Sequence, residues 1–497
     1  MAADSQLWKS AYYDRFVRPR ASRLPGIRDR EPPAKSLYYS SKISKWLEDD
    51  HLVRGGNKTN WERQYKLRHN WSKGRCRVAE TQIAERPSTP PLLVCLHGGL
   101  VITADFAGGL RAWSVKEEQR LVASLNWPTD GDSSISSSIP TSLAVDVSNS
   151  DINWLNFAIG FSDGRFSIYR LDQVAKAFIH RYTHAPSSNG TISAIAYASR
   201  YLLTMTEAQL LSLYIFSDEA TGDEDNATLE PPRLLSSLKS QTAWPPLSLA
   251  IRVPPNSIFA SIAYAIPTYL AGWSVGLQEL RLTMDGRMVE SRLACALSQG
   301  FTPLSISSPP SSGSSPRSGS SPVRSSGFAP KLPSTRPTSL SYTHPYILAA
   351  HPDNTLTLYM VTSNAKILSI KPGERLWGHT SSVSGAHVGD RGKAVSVSAH
   401  GNEIRVWDLE GGFSSNSSKR RVATGEASVQ VRPERRKDSR TLEYEAYLGC
   451  SESSDPEKVD LDESAVTKGW VAFDDEKVVV LREKTHGSQN LVVYDFT

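Results

Sequence analysis

The stretch Trp377 to Glu410, WGHTSSVSGAHVGDRGKAVSVSAHGNEIRVWDLE, decides the fold. It opens on Gly378-His379, runs through two short segments in which apolar and polar residues alternate, and closes on Ile404-Arg405-Val406-Trp407-Asp408. Alternation with a period of two marks strands, and strands this short, punctuated by glycine and asparagine, pair into a small antiparallel sheet. Such a unit is apolar on both faces and cannot stand alone. It therefore predicts further copies packed against it around a common axis.

The copies are found along the chain from about residue 76, where the apolar period changes from helical to alternating. LLVCLHG, LVITADF and LRAWSV (Leu92 to Val115) form a first strand triplet, and TSLAVDV, NFAIGFSDG and RFSIYRL (Thr141 to Leu171) a second. ISAIAYA, YLLTMTE and LLSLYIF (Ile192 to Phe216) give a third, and PLSLAIRV, IFASIAYAI and Gly272 to Thr283 a less regular fourth. TSLSYTH, YILAAHPDN and LTLYMVT (Thr338 to Thr362) are the fifth, the opening stretch is the sixth, and Trp470 to Thr497 is the seventh. Each triplet is expected to take its outer strand from the segment that follows. The last triplet ends with the chain, and GRCRVAETQIAE, just before the first, is a spare strand able to complete it. That pairing would close a ring and remove the free sheet edges. The expected fold is all-β, a seven-bladed propeller over 76–497 preceded by a small helical segment over 1–75.

Turn chemistry supports the register. Asp163 lies six residues before Tyr169, and Asp353 six before Tyr359. An Asp there sits between the second and third strands, where its carboxylate accepts turn N–H groups. The sixth blade keeps His379 and Trp407 but has Gly401 at the Asp position, and the first blade, with Trp113, has Ala107 there. These repeats are degenerate, so stability is expected from apolar packing rather than polar tetrads. Gly98-Gly99 and Gly108-Gly109 read as hairpin turns that need positive backbone angles.

Composition bounds the function. The chain has 497 residues, 39% of them hydrophobic, with 56 basic against 51 acidic side chains and a net charge of +5. This is a mild balance for the length and predicts no nucleic-acid partner. Neither an apolar run of membrane length nor a secretory leader is read, so no membrane partner is expected. Cys76, Cys95, Cys295 and Cys450 are scattered without a CxxC pair, which fits a reducing compartment, cytoplasmic and/or nuclear. No HExxH, nucleophile elbow or Walker-type loop is read, since Gly160-Phe161-Ser162-Asp163-Gly164 matches GxSxG in letters but falls between two strands of a triplet, and no cofactor or metal is expected.

The N-terminal segment differs from everything after it. Leu7, Trp8, Ala11, Tyr12 and Val17 recur at helical spacing before Pro19, and Trp61, Tyr65 and Leu67 do so again in NWERQYKLRHNWSKGRCRV. With SLYYSSKISKWLEDDHL between them, the region predicts two or three short helices packed on something larger.

Two resemblances follow from these residues. Residues 76–497 resemble a WD-repeat seven-bladed propeller, with Trp113, Asp163, Asp353, His379, Trp407 and Asp408 as structural blade residues. LWKSAYYDRFVRPR and the NWERQYKLRHNWSKGRCRV segment resemble the join between F-box and propeller in F-box/WD-repeat proteins, particularly those of filamentous fungi. Leu7, Trp8, Lys9, Tyr13 and Arg15-Phe16 stand close to that pattern, while the F-box helices themselves are largely missing ahead of it. The resemblance implies a substrate receptor of a Skp–cullin–F-box ubiquitin ligase, which captures a target protein on the propeller and does no covalent chemistry. Under it, Leu7, Trp8, Tyr12 and Phe16 are expected near the Skp adaptor. Arg111 and Arg405, each two residues before a blade tryptophan, are candidates for binding a phosphorylated partner, against the simpler reading that each pairs with a neighbouring blade. Two alternatives stand beside the receptor: a WD-repeat scaffold that has shed its F-box and binds proteins without a ligase, and a propeller enzyme with carboxylates converging on the axis.

Two insertions carry regulatory signals. Residues 302–340 are so rich in Ser, Pro and Gly that a disordered loop is expected, and Ser308, Ser315 and Ser321 each precede proline as possible phosphosites. Residues 411–466 contain Lys419-Arg420-Arg421 and, further on, Arg432, Arg435, Arg436 and Lys437, which read either as a bipartite nuclear-import signal or as a solvated charged loop. The acidic stretch Asp218 to Glu230 reads as a solvated loop.

Overall fold

The computed structural model describes residues 2–17, 54–55, 58–116, 120–127, 139–146, 153–217, 228–239, 248–268, 272–296, 335–364, 367–389, 392–399, 401, 403–409, 428–433, 470–484 and 487–497. Seven antiparallel sheets succeed one another along the chain and form a seven-bladed propeller. Blade 1 comprises Leu93–His97, Leu100–Asp105, Gly109–Ser114 and Leu121–Leu125. Blades 2 and 3 begin at the inner strands Pro140–Val145 and Ile192–Ala198 and end at the outer strands Ala177–His184 and Arg233–Lys239. Blade 4, whose triplet is the least regular in sequence, has the longest central pair, Ile258–Pro267 and Trp273–Leu282, in unbroken register from Ile258 opposite Leu282 to Pro267 opposite Trp273. The inner strands touch in order around the axis, and Val471–Phe473 of blade 7 returns to Leu93–His97 of blade 1.

The seal predicted from the spare strand is present. Arg75–Ala84 pairs antiparallel with Gln489–Asp495, with Arg77 opposite Asp495 and Gln82 opposite Asn490. Blade 7 thus joins the start of the ring to its end. Two outer edges depart from the sequence reading. Trp377, which opens the diagnostic stretch, ends the outer strand Glu374–Trp377 of blade 5 rather than starting blade 6. Blade 6 takes its outer strand, Ser428–Gln430, from inside the segment 411–466, and Arg432–Pro433 then pairs parallel with Arg75-Cys76. That segment is therefore partly architectural, and Arg432, counted above with a basic run, donates its backbone N–H to Gly74 O at 2.6 Å. Ser308, Ser315 and Ser321, residues 302–334 of the Ser/Pro-rich tract, Lys419, Arg420, Arg421, Arg435, Arg436 and Lys437, and Asp218 to Ala227 lie outside the described residues.

The core is distributed as one apolar cluster per blade interface. Leu110, Phe157, Ile159 and Leu171 join blades 1 and 2, and Phe166, Ile168, Ile195 and Leu202 join blades 2 and 3. Further clusters bridge blades 3 to 4, 4 to 5, 5 to 6 and 6 to 7. The seventh, with Ile83, Val101, Trp113, Val479 and Val493, bridges blade 7 back to blade 1. No blade buries its faces without both neighbours.

N-terminal to the ring, α1 (Ala2–Tyr12) continues into a π-helical turn over Tyr13–Val17, and α2 (Trp61–Lys73) leads into the closing strand. Asn60 caps α2, its side chain accepting from the Arg63 N–H at 3.1 Å. Gly74 ends it in the left-handed region at φ 68°, where a Cβ would stand 2.1 Å from Gln430 O, so glycine is needed for both conformation and clearance. Trp71 anchors α2 to the ring: it stacks on Phe496 with centroids 4.0 Å apart and donates Nε1–H to Asp475 O at 2.8 Å. Asn70 adds a bond from Nδ2 to Phe496 O at 2.9 Å. Truncating a buried tryptophan costs about 3–5 kcal/mol, so Trp71→Ala is expected to lower stability by that order in chemical denaturation. An unchanged midpoint would show that α2 is not part of the closed ring.

Candidate interaction surfaces

Sequential antiparallel strands divide the turns between two rims. Turns from second to third strand, and the crossings from each outer strand to the next inner one, share one rim, called here the crossing rim. Turns from inner to second and from third to outer strand share the other, and α2 sits there, against the turn that contains Asp475.

The crossing rim is built from acid–arginine pairs. In blade 2 Asp163 Oδ1 accepts the Arg165 N–H at 3.0 Å, and in blade 5 Asp353 accepts the Thr355 N–H at 3.2 Å, as turn chemistry predicts. Arg375, from the outer strand, donates to Asp353 Oδ2 at 3.2 Å. Blade 1 lacks an acid at Ala107, but Asp105, two residues earlier, takes its place: it accepts from the Gly108 N–H and, at 2.9 Å, from Arg111. Trp113 donates to Thr103 Oγ1 at 3.1 Å behind it.

Blade 6 holds a polar tetrad although Gly401 stands at the Asp position. Glu403, two residues after Gly401, reaches back to the position an Asp would occupy. Trp407 Nε1 can only donate, so Ser396 Oγ accepts from it at 2.7 Å and is left with its own proton for His379 Nε2 at 2.6 Å. That places the imidazole proton on Nδ1, which faces Glu403 Oε2 at 3.4 Å. The same carboxylate accepts the Thr380 N–H at 2.8 Å and, through Oε1, Arg405 Nε at 2.6 Å. Burial holds His379 down, to about 4, against the pull of Glu403. Burial pushes Glu403 up, but Thr380, Arg405 and His379 outweigh it and hold the carboxylate below its usual range. Asp408 ends the third strand opposite Lys393.

Arg111 and Arg405, the phosphopeptide candidates, are both engaged. Arg111 bridges Asp105 and, at 2.6 Å, the carbonyl of Ile83 in the closing strand, while Arg405 bridges Glu403 and Ser428 Oγ at 2.9 Å. With side-chain exposures of 15% and 16%, each acts as a staple, Arg111 between blades and Arg405 within its own blade. A further staple had no sequence signal. Glu279, fully buried in blade 4, accepts from Arg252 at 3.1 Å, from Arg292, and from Ser363 of blade 5 at 2.8 Å. Three residues on three strands cannot be paired from spacing.

At the N-terminus, three of the four residues expected near an adaptor are used internally. Trp8 packs on Tyr65 at 5.3 Å, Tyr12 on Trp61 at 5.6 Å and Phe16 on Tyr65 at 5.4 Å, and Arg15 Nη1 donates to Tyr65 OH at 2.6 Å. Leu7 alone of the four faces solvent, 66% exposed. Among the described residues no group of three or more His, Cys, Asp or Glu is placed to hold a metal, and no helix is long and apolar enough to cross a membrane.

The closed ring and the blade chemistry define a seven-bladed WD-type propeller, a protein-interaction module. The sequence model of a family described as the beta-propeller of F-box protein pof12 matches residues 76–497, and the chain belongs to that family. A stretch of 64 residues is 44% identical to F-box protein pof12 of Schizosaccharomyces pombe, a match spanning 13% of this chain and 14% of that protein. Among solved structures, the WD40 propeller of Doa1 is similar with 10% identity and a TM-score of 0.38, over 84% of this chain and 95% of that one. The Myceliophteria thermophila Cps50 (Swd1) propeller has 9% identity and a TM-score of 0.39 over 84% and 100%, and BBS1N, solved in complex with ARL6DN, 11% and 0.43 over 85% and 96%. These likenesses concern the fold alone.

The depressed His379 makes a pH prediction. Above about pH 6.5 it is neutral both folded and unfolded; as pH falls from 6.5 towards 4, only the unfolded chain gains its proton. Stability should therefore drop across that window, by up to about 1.4 kcal/mol per pH unit from this group. Thermal melts of His379→Gln should start lower at pH 7.5 and show a shallower slope between pH 6.5 and 4. Equal slopes would show that His379 is not held neutral.

Proposed function

We propose that the chain is a substrate receptor of a Skp–cullin–F-box ubiquitin ligase: the propeller captures a target protein, and the N-terminal helices connect it to the Skp adaptor and through that to the cullin. The observation that carries this is the seating of α2. In a chain whose ring belongs to the pof12 F-box protein propeller family, Trp71, Asn70 and an Arg63–Glu476 ion pair at 3.7 Å fix the helical segment to blade 7, the blade that closes the ring. A rigid join transmits position, which a receptor needs if a captured protein is to be held at a set distance from a ligase core. The described helix α2 sits at one rim, and the crossing rim is the face proposed for the target. Catalysis is no part of this reading, and the expected location is cytoplasmic and/or nuclear.

A second reading, a WD-repeat scaffold without ligase recruitment, is favoured by the internal use of Trp8, Tyr12 and Phe16 in packing α1 on α2. Co-expression of the full-length gene product, from its verified transcript start, with the Skp adaptor of the same organism separates the two. The receptor reading expects a stoichiometric complex on size exclusion that also retains the cullin. Separate elution of adaptor and propeller would leave the scaffold.

A further inference from the structure

The crossing from blade 2 to blade 3, residues 185–191, carries the chain's one Asn-Gly dipeptide, Asn189-Gly190. It runs from the outer strand Ala177–His184 to the inner strand Ile192–Ala198 and belongs to the crossing rim. Both ends of its turn are pinned to the second-to-third-strand turn of blade 2. Ser187 donates its backbone N–H to Asp163 O at 3.2 Å, and Thr191 Oγ1 donates to Ser162 O at 3.0 Å. Gly164 lies against it, where a Cβ would stand 2.7 Å from Ser187 O. The tip between these anchors stands in solvent, with Ser188, Asn189 and Gly190 all exposed.

The tip brings an electrophile and a nucleophile together with nothing to restrain either. The backbone N–H of Asn189 donates to Ser187 Oγ at 3.3 Å, but its side-chain amide has no partner among the described residues. Gly190 follows at φ 84°, and a Cβ there would meet nothing within 4 Å, so no side chain shields its nitrogen. That N–H donates to Ser187 O at 3.4 Å, longer than a well-formed amide bond. Asn189 Cγ and Gly190 N are separated by three backbone and side-chain atoms of one residue, so their reaction is intramolecular and gains the advantage of proximity.

We propose that Asn189 is a site of spontaneous deamidation in the folded protein, which converts this tip to aspartate and isoaspartate. Gly190 N attacks Asn189 Cγ, the new C–N bond closes a succinimide, and the Cγ–Nδ2 bond breaks. Nδ2 leaves as ammonia, taking the proton that Gly190 N gives up. Water then opens the ring at either carbonyl. Attack at Cγ returns the ordinary chain with an aspartate, and attack at the backbone carbonyl leaves an isoaspartate whose chain runs through Cβ and Cγ. One water enters, one ammonia departs, and nothing is oxidised or reduced. The product carries one more negative charge on the crossing rim, and the reaction depends on neither the adaptor nor a captured target.

Mass spectrometry of the full native chain tests it after incubation in mildly alkaline oxygen-18 water, with a synthetic peptide of residues 182–200 incubated alongside. Trypsin cuts after Arg181 and Arg200, and the fragment between them contains Asn189 and no other amide side chain. In ordinary water the fragment should become about one dalton heavier and split into two chromatographic species, aspartyl and isoaspartyl. In oxygen-18 water it should be heavier still by the label, which shows that the ring opened during incubation. Asn189→Gln, whose longer side chain closes the larger ring far more slowly, should abolish the gain, and because residue 189 is exposed the melting temperature should be unchanged. Three outcomes overturn the proposal: a native fragment without label when the free peptide has half converted, a mass gain that carries no oxygen-18, or a gain in Asn189→Gln as fast as in wild type.

Discussion

The structure depends on one constraint: each blade is a thin sheet with two apolar faces, and each face is buried only by the next blade. Seven apolar clusters, one per interface, satisfy this, and the seventh exists only because the ring closes. Val101 and Trp113 at one end of the ring share a cluster with Val479 and Val493 at the other. The strand Arg75–Ala84 therefore does more than complete a sheet. By pairing with Gln489–Asp495 it brings the two ends together, and its Ile83 is itself part of the cluster that seals them.

Polar staples sit on top of that apolar design. Arg111 holds Asp105 and reaches the closing strand, Arg405 holds Glu403, and Glu279 gathers two arginines with Ser363 of the next blade. Each is a buried or half-buried charge whose partners are fixed by the backbone, and such groups contribute more to setting register than to net stability. Arg111 and Arg405, the arginines singled out in the sequence as partner-binding candidates, are both engaged in these internal pairs.

The inner three strands of every blade were legible in the sequence, because they are covered on both faces and keep their apolar character. Apart from the closing strand Arg75–Ala84, the outer strands were not. Met288–Cys295 and Ala177–His184 are largely exposed, so their composition resembles a loop, and Ser428–Gln430 is hidden within a charged stretch for the same reason. The polar sites were half legible. Asp163 and Asp353 stand where spacing puts them, whereas Asp105 and Glu403 are each displaced by two residues and found only once a longer or earlier side chain is allowed to reach the same point. Trp8, Tyr12 and Phe16 were visible as a helical face, but the partner of that face, α2, could not be chosen from periodicity alone.

Amide hydrogen exchange on the closing pair tests this account most directly. If the ring is sealed by Arg75–Ala84 on Gln489–Asp495, the paired amides of both strands exchange only through global unfolding, as slowly as those of the buried strands Leu100–Asp105 and Tyr201–Thr206. Exchange of the closing pair orders of magnitude faster than those strands would mean that the propeller stands open in solution, and the account would fail.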